Sequence, residues 1–171
     1  MRRRAALVAL SIVCLAACAA PPGDDGDAGA GDAGTGTLML GEGERTFRAI
    51  EDGDTLELAR GCQGSQHVWL TLRSEEMDPR GMIVELQLVR ERDGADVSGT
   101  FRLRLSFTPD ASGEYAQLTG LTLQVPAPED ALDEALVLRG RIEDRDGREA
   151  HAERRVRIAW GTMTCEGGET G

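Results

Sequence analysis

The densest group of chemically able residues is Gly61-Cys62-Gln63-Gly64-Ser65-Gln66-His67-Val68-Trp69, which places a thiol, a hydroxyl, two amides, an imidazole and an indole side by side. Ser65 and His67 are the right types for a nucleophile and its base. At the start of an extended run they would still need an oriented acid and an oxyanion site, and no motif supplies either. His67 and His151 are the only histidines; expected on outward faces of different sheets, they could not share a metal, and no Cys or His cluster has zinc spacing. Asp24, Asp25, Asp27 and Asp32 lack the fixed ligand positions of a calcium loop, and Asp144-Arg145-Asp146-Gly147 reads as a turn. No phosphate-cradling glycine motif opens a helix. The residues therefore predict no enzymatic activity, no cofactor and no metal. For Gln63, Gly64, Gln66, His67 and Trp69 the remaining role is that of a recognition loop. The plainer alternative, which the sequence favours, is a turn shaped by its glycines with Trp69 capping one sheet, although loops carry function more often than strands do.

Charge narrows the partners. The 171 residues carry a formal charge of −11, all cationic side chains are arginine, and there is no lysine or asparagine. An acidic domain is repelled by phosphate backbones and anionic membrane surfaces, so nucleic acid is not expected as a partner. Aromatic residues are 4% of the chain, so the core must be aliphatic.

The elements that would position the loop are strands. From Thr37 onward, short alternating runs are separated by turn signals. Thr37–Leu40 and Thr55–Ala59 come first. Gln66–Arg73 sets Val68, Leu70 and Leu72 against His67, Trp69, Thr71 and Arg73, with the second set expected to face outward. Met82–Arg90 turns Met82, Val84, Leu86 and Leu88 inward. Thr100–Thr108 is expected to bury Phe101, Leu103, Leu105 and Phe107 while Arg102 and Arg104 face water. Leu121, Leu123 and Val125 end the next strand; Leu118 is out of phase with them, which predicts a bulge around Thr119-Gly120. Pro126 to Glu134 is a loop with one helical turn at Glu129–Leu132.

The final hairpin is the most constrained. A three-residue loop at Arg145-Asp146-Gly147, with Gly147 left-handed, keeps Leu136, Leu138 and Ile142 on the same face as Ala150, Ala152, Val156, Ile158 and Trp160. It also sets Arg139 opposite Glu153. Arg154 falls on the inward parity, which requires a bulge or an edge at that point.

One-sided strands joined by turns imply two antiparallel sheets packed face to face, all-β. Their number, about seven or eight, and their spacing resemble an immunoglobulin-like or fibronectin-type β-sandwich over residues 37–166, with 167–171 a disordered tail. Antibody domains differ in having mid-strand cysteines. In such sandwiches a short early strand commonly runs parallel beside the last one, and the resemblance would then bring Cys62 and Cys165 to one end as a disulfide. The run Gly61 to Val68 is also similar to a Gly-x-Gln-Gly-x-x-His-Val pattern of uncharacterised secreted bacterial β-sandwich proteins.

The N-terminus places the domain. Arg2, Arg3 and Arg4 precede an apolar run from Ala5 to Leu15 and a small-residue site, which makes residues 1–17 a secretory signal, too short to span a bilayer. Leu15-Ala16-Ala17-Cys18 resembles the lipobox of bacterial lipoproteins, which implies that Cys18 is diacylated and becomes the mature N-terminus. The alternative is an ordinary signal cut near Ala17-Cys18-Ala19. Lipidation of Cys18, with Cys14 lost in the signal, leaves Cys62 and Cys165 as one pair and no odd thiol. Two or three acyl chains anchor durably, at roughly 0.8 kcal/mol per buried CH₂. By resemblance to a known sorting pattern, Ala19 favours the outer membrane of a Gram-negative envelope. Residues 18–36, rich in Gly, Asp and Pro, form a disordered spacer that holds the domain on the order of 20–25 Å from the bilayer.

These readings converge on a monomeric, lipid-anchored, non-enzymatic domain, a protein-interaction or structural module whose partner is an unknown envelope protein or glycan. Two alternatives accompany it: a carbohydrate- or peptidoglycan-binding module using Trp69, Trp160 or Tyr115, and a hydrolase with an unrecognised site.

Overall fold

The computed structural model describes residues 36–61 and 64–161. The expectations for the signal, Cys18, the spacer up to residue 35, Cys62, Gln63, Cys165 and the tail lie outside the described residues. Within them the protein is all-β: ten strands, no α-helix, and one 3-10 turn at Pro128–Asp130 where a turn at Glu129–Leu132 is predicted. The strands are β1 (Thr37–Glu42), β2 (Arg48–Ala49), β3 (Asp54–Arg60), β4 (Gln66–Glu75), β5 (Met82–Arg90), β6 (Phe101–Leu105), β7 (Thr108–Pro109), β8 (Ala116–Gln124), β9 (Leu136–Glu143) and β10 (Glu149–Trp160).

They form one curled, mixed sheet. One run of ladders is β2-β1-β4-β8-β7 and another is β3-β10-β9-β5-β6. Strand β3 joins them: Asp54 to Leu58 pair in parallel with Val156 to Trp160, and Leu58 to Arg60 pair antiparallel with Val68 to Gln66. Every other ladder is antiparallel. The alternation of the strands places their apolar sets inside the curl, so Leu38, Leu40, Leu58, Leu70, Leu72, Val84, Leu88, Leu138, Ile142 and Ile158 share one core. Each leucine buried this fully contributes roughly 1.5–3 kcal/mol. In mid-β9, a Cβ on Gly140 would lie 2.7 Å from Leu40 Cδ2 and 3.2 Å from Leu38 Cδ2, so the missing side chain is what lets β1 lie across β9.

Local features follow the sequence closely. Leu70 pairs with Leu121 but Leu72 with Leu118, so Thr119-Gly120 bulge opposite Thr71, and Gly120 adopts φ +74°. In the β9–β10 hairpin, Glu143 pairs with Glu149 and Arg139 with Glu153, and the Asp144 N–H donates to the Arg148 carbonyl at 2.9 Å, which leaves Arg145-Asp146-Gly147 as the loop, with Gly147 at φ +78°. The Arg139–Glu153 ion pair forms at 2.9 Å. Arg154 lies opposite Leu138 where β10 is an edge, because pairing with β3 begins only at Val156. Its Nε donates to the Ile50 carbonyl at 2.9 Å, which lets a charged side chain occupy an inward position.

Two expectations about whole strands are corrected, and one about a single residue: Trp160, expected on the inward face, is 39% exposed, because pairing with β9 stops at Val156 and Trp160 is the last residue of β10. The run from Thr100 to Thr108 is not one strand. It breaks at Ser106, whose Oγ accepts from the Gly81 N–H at 3.0 Å, while the Phe107 N–H donates to the Pro79 carbonyl at 2.8 Å. Phe107 is buried as expected, but Leu103 is 51% exposed and Phe101 and Leu105 only half-buried. The reason is that β6 is an edge strand, paired with β5 alone. The second correction concerns β4. His67 and Thr71, expected to face water, are 8% and 0% exposed. Strand β4 is flanked on both edges, and its outer side is overlaid at Thr71 by the Phe47 ring: a Cβ on Gly41 would lie 2.6 Å from both Phe47 and Thr71 Oγ1.

Candidate functional site

Strand β4 changes partner along one edge. Residues 70–75 pair with β1 and residues 66–68 with β3. Trp69 falls in the gap, where its carbonyl accepts from the Gly43 N–H at 3.1 Å. Strands β1 and β3 diverge there, and divergence opens a cleft of about 520 Å³ lined by Trp69, Glu42, Glu44, Thr46, Arg48, Thr55 and Glu57, among others. That volume is within the roughly 300–1,000 Å³ typical of small-ligand sites.

Of the predicted recognition residues, Gly64 lies in a turn closed by Gly61 N–H to Ser65 carbonyl at 2.6 Å, and has φ +85°. Gln66 is half-buried and its carbonyl accepts from the Val125 N–H at 2.8 Å. His67 stands edge-on to Trp69, with ring centroids 5.0 Å apart and planes at 84°. Both His67 ring nitrogens, Trp69 Nε1 and Thr71 Oγ1 are buried without a hydrogen-bond partner. Burial pushes the His67 imidazole below its ordinary pKa, so the ring is neutral at neutral pH. With neither ring nitrogen hydrogen-bonded, His67 takes no proton from Ser65 in this arrangement. His151, on β10, pairs with Glu149 at 3.2 Å. Among the described residues no three of His, Cys, Asp and Glu are grouped to hold a metal ion.

The cleft draws on residues that the recognition-loop reading did not include. Glu42 bonds the Arg48 guanidinium and accepts the Glu57 N–H at 2.6 Å; this hydrogen bond to Glu42 raises the Arg48 pKa. Glu57 and Thr55 alternate outward on β3, and Glu44 and Thr46 lie in the β1–β2 connection. In the sequence they are unremarkable surface residues, because only the β1–β3 divergence brings them beside Trp69.

A second, shallower depression of about 320 Å³ lies on the outer face of β5, β6, β9 and β10. Leu86 and Phe101 line it beside charged residues that are paired with one another or with their neighbours. Arg141 contacts Glu149 at 2.5 Å, Glu143 at 2.8 Å and Glu85 at 3.2 Å, and Glu85 also takes Arg102 at 2.5 Å. Hydrogen bonding to Glu149 raises the Arg141 pKa and, reciprocally, lowers that of Glu149.

Comparison with known protein families finds no model that matches the chain, and comparison with curated proteins finds no match. Fold and site thus define an all-β domain with a cleft lined by Trp69 and an open sheet edge at β6.

Proposed function

We propose that this protein is an immunoglobulin-like β-sandwich held on the outer membrane of a bacterial envelope by lipid on Cys18, acting as a non-enzymatic protein-interaction module. Support for the sandwich type comes from the two ladder runs, with β3 parallel to the last strand and β1 laid across β9 at Gly140. The same parallel pair supports a Cys62–Cys165 disulfide: the Gly161 N–H donates to the Leu58 carbonyl at 3.1 Å, so the two cysteines follow neighbouring chain segments. A bridge closing so long a loop would stabilise by roughly 4–5 kcal/mol on the chain-entropy model.

The observation that carries the interaction reading is β6. It pairs with β5 alone, leaves its other edge open, and exposes Leu103. An open edge takes up an extended segment as an added strand. The occupant is not a second copy in the symmetric register, because antiparallel self-pairing centred on Leu103 would set Arg102 against Arg104 of the other chain. The favoured partner is an extended segment with an apolar residue for Leu103 and acidic neighbours.

Recovery of envelope proteins on the full-length chain should therefore depend on Leu103. A Leu103→Asp variant that folds normally but recovers the same partners in the same amounts would refute the edge as the docking element. For the anchor, mass spectrometry of the mature N-terminal peptide should give diacylated Cys18; an unmodified N-terminus beyond Cys18 would refute it.

A further inference from the structure

The cleft at the β1–β3 divergence is separate from the β6 edge and has its own chemistry. We propose that it binds a neutral carbohydrate, a pyranose ring laid on the Trp69 indole with its hydroxyls among Glu44, Glu57, Arg48, Thr46 and Thr55.

Three observations carry this. The first is the ring itself. Arg60 lies over Trp160 at 4.2 Å, and Arg73 lies over Tyr115 at 4.2 Å and Phe47 at 4.1 Å, so each of these rings already has a guanidinium against it. Trp69 instead lines the cleft, and His67 packed at a right angle to it holds the indole in place. A flat apolar ring set in a concavity suits the C–H face of a sugar.

The second is the mixture of polar groups on the rim. The carboxylates of Glu44 and Glu57 only accept hydrogen bonds, the Arg48 guanidinium only donates, and the two threonine hydroxyls do both. Among the described residues the Glu57 carboxylate has no hydrogen bond or ion pair, and that of Glu44 has only a 3.9 Å contact with its neighbour Arg45. An ammonium cannot accept from Arg48, and an anion cannot donate to the glutamates. A hydroxyl donates and accepts at once, so a polyol is the class that meets the whole rim.

The third is charge. Three glutamates against one arginine exclude anionic ligands. Glu44 and Glu57 are solvent-facing, so their pull on a lone cation is screened.

The test titrates the full chain, in a detergent without a sugar headgroup, with cellobiose, N,N′-diacetylchitobiose, glucuronic acid and benzyltrimethylammonium, read by saturation-transfer NMR. At least one of the two neutral disaccharides should bind and the two charged probes should not. Trp69→Leu should weaken binding about tenfold or more. Because Trp69→Leu also removes a ring packed against His67, Glu57→Gln serves as the second variant, on an exposed side chain; it should also weaken binding, and Trp160→Phe should leave it unchanged. Failure of both disaccharides to bind, preference for the ammonium or the acid, or binding indifferent to Trp69 and Glu57 would overturn the proposal.

Discussion

Two polar sites in this molecule are both buried but in opposite circumstances. At the tip of the β9–β10 hairpin, Asp144 is 4% exposed and fully engaged: Oδ1 accepts from the Asp146 N–H at 2.9 Å and the Arg148 N–H at 3.0 Å, and Oδ2 accepts from the Asp78 N–H at 3.2 Å and lies 3.3 Å from Arg148 Nε. On the outer side of β4, Thr71 and His67 are also buried, but their side-chain polar atoms have no hydrogen-bond partner. A buried polar atom stabilises when its bonds are made and costs free energy when they are not. The hairpin tip is built for stability. The β4 face keeps unsatisfied groups next to the cleft lined by Trp69, the usual place for a fold to give up stability in favour of a site.

The contrast makes signed predictions. Asp144→Ala removes a carboxylate that ties the turn to the β4–β5 connection and strands the donors around it. It should destabilise the protein by about 3 kcal/mol, measured by urea unfolding. Thr71→Val should do the reverse, raising stability by about 1 kcal/mol, because it deletes an unbonded hydroxyl and keeps the shape. If Thr71→Val destabilises, the hydroxyl is bonded in solution and the contrast fails.

His67 adds a pH dependence. Its folded-state pKa lies below the unfolded value of about 6.5, so as pH falls the unfolded chain takes up the proton first. The stability held above that pH should therefore decline as acidity carries the solution below it. His67→Leu should flatten the pH profile in this window, leaving the losses at lower pH that belong to carboxylates. An unchanged profile would show that the ring reaches solvent.

The smallest effect is expected on the exposed face of β9 and β10. A double-mutant cycle on Arg139 and Glu153 should give a coupling of about 0.2–1 kcal/mol, reduced by salt, since both side chains are solvent-exposed. A larger coupling would mean that this charged face contributes to stability as a network.

The parts of the fold legible in the sequence are those governed by local period. Met82–Arg90 appears as β5 with the same bounds, the bulge at Thr119-Gly120 follows from the phase of Leu118, and the three-residue loop follows from the parity of Ala150 and Ala152. The period of two reports which side chains share a face, and it does so without any knowledge of neighbours. It does not report whether a face is covered. Leu103 follows the alternation of a buried strand yet lies open because β6 is an edge. His67 follows the alternation of a solvent-facing position yet is covered.

The candidate site shows the same division. Residue type marked Trp69 and His67, and their spacing placed both on one side of β4. Glu42, Glu44, Arg48, Thr55 and Glu57 carried no signal, because the cleft is made by two strands leaving a third in different directions. What the chain determined by itself was strand identity, register and turn type, since these depend on alternation and on backbone freedom at a few glycines. What only the tertiary structure decided was exposure, because exposure depends on the length and position of segments far away in the sequence.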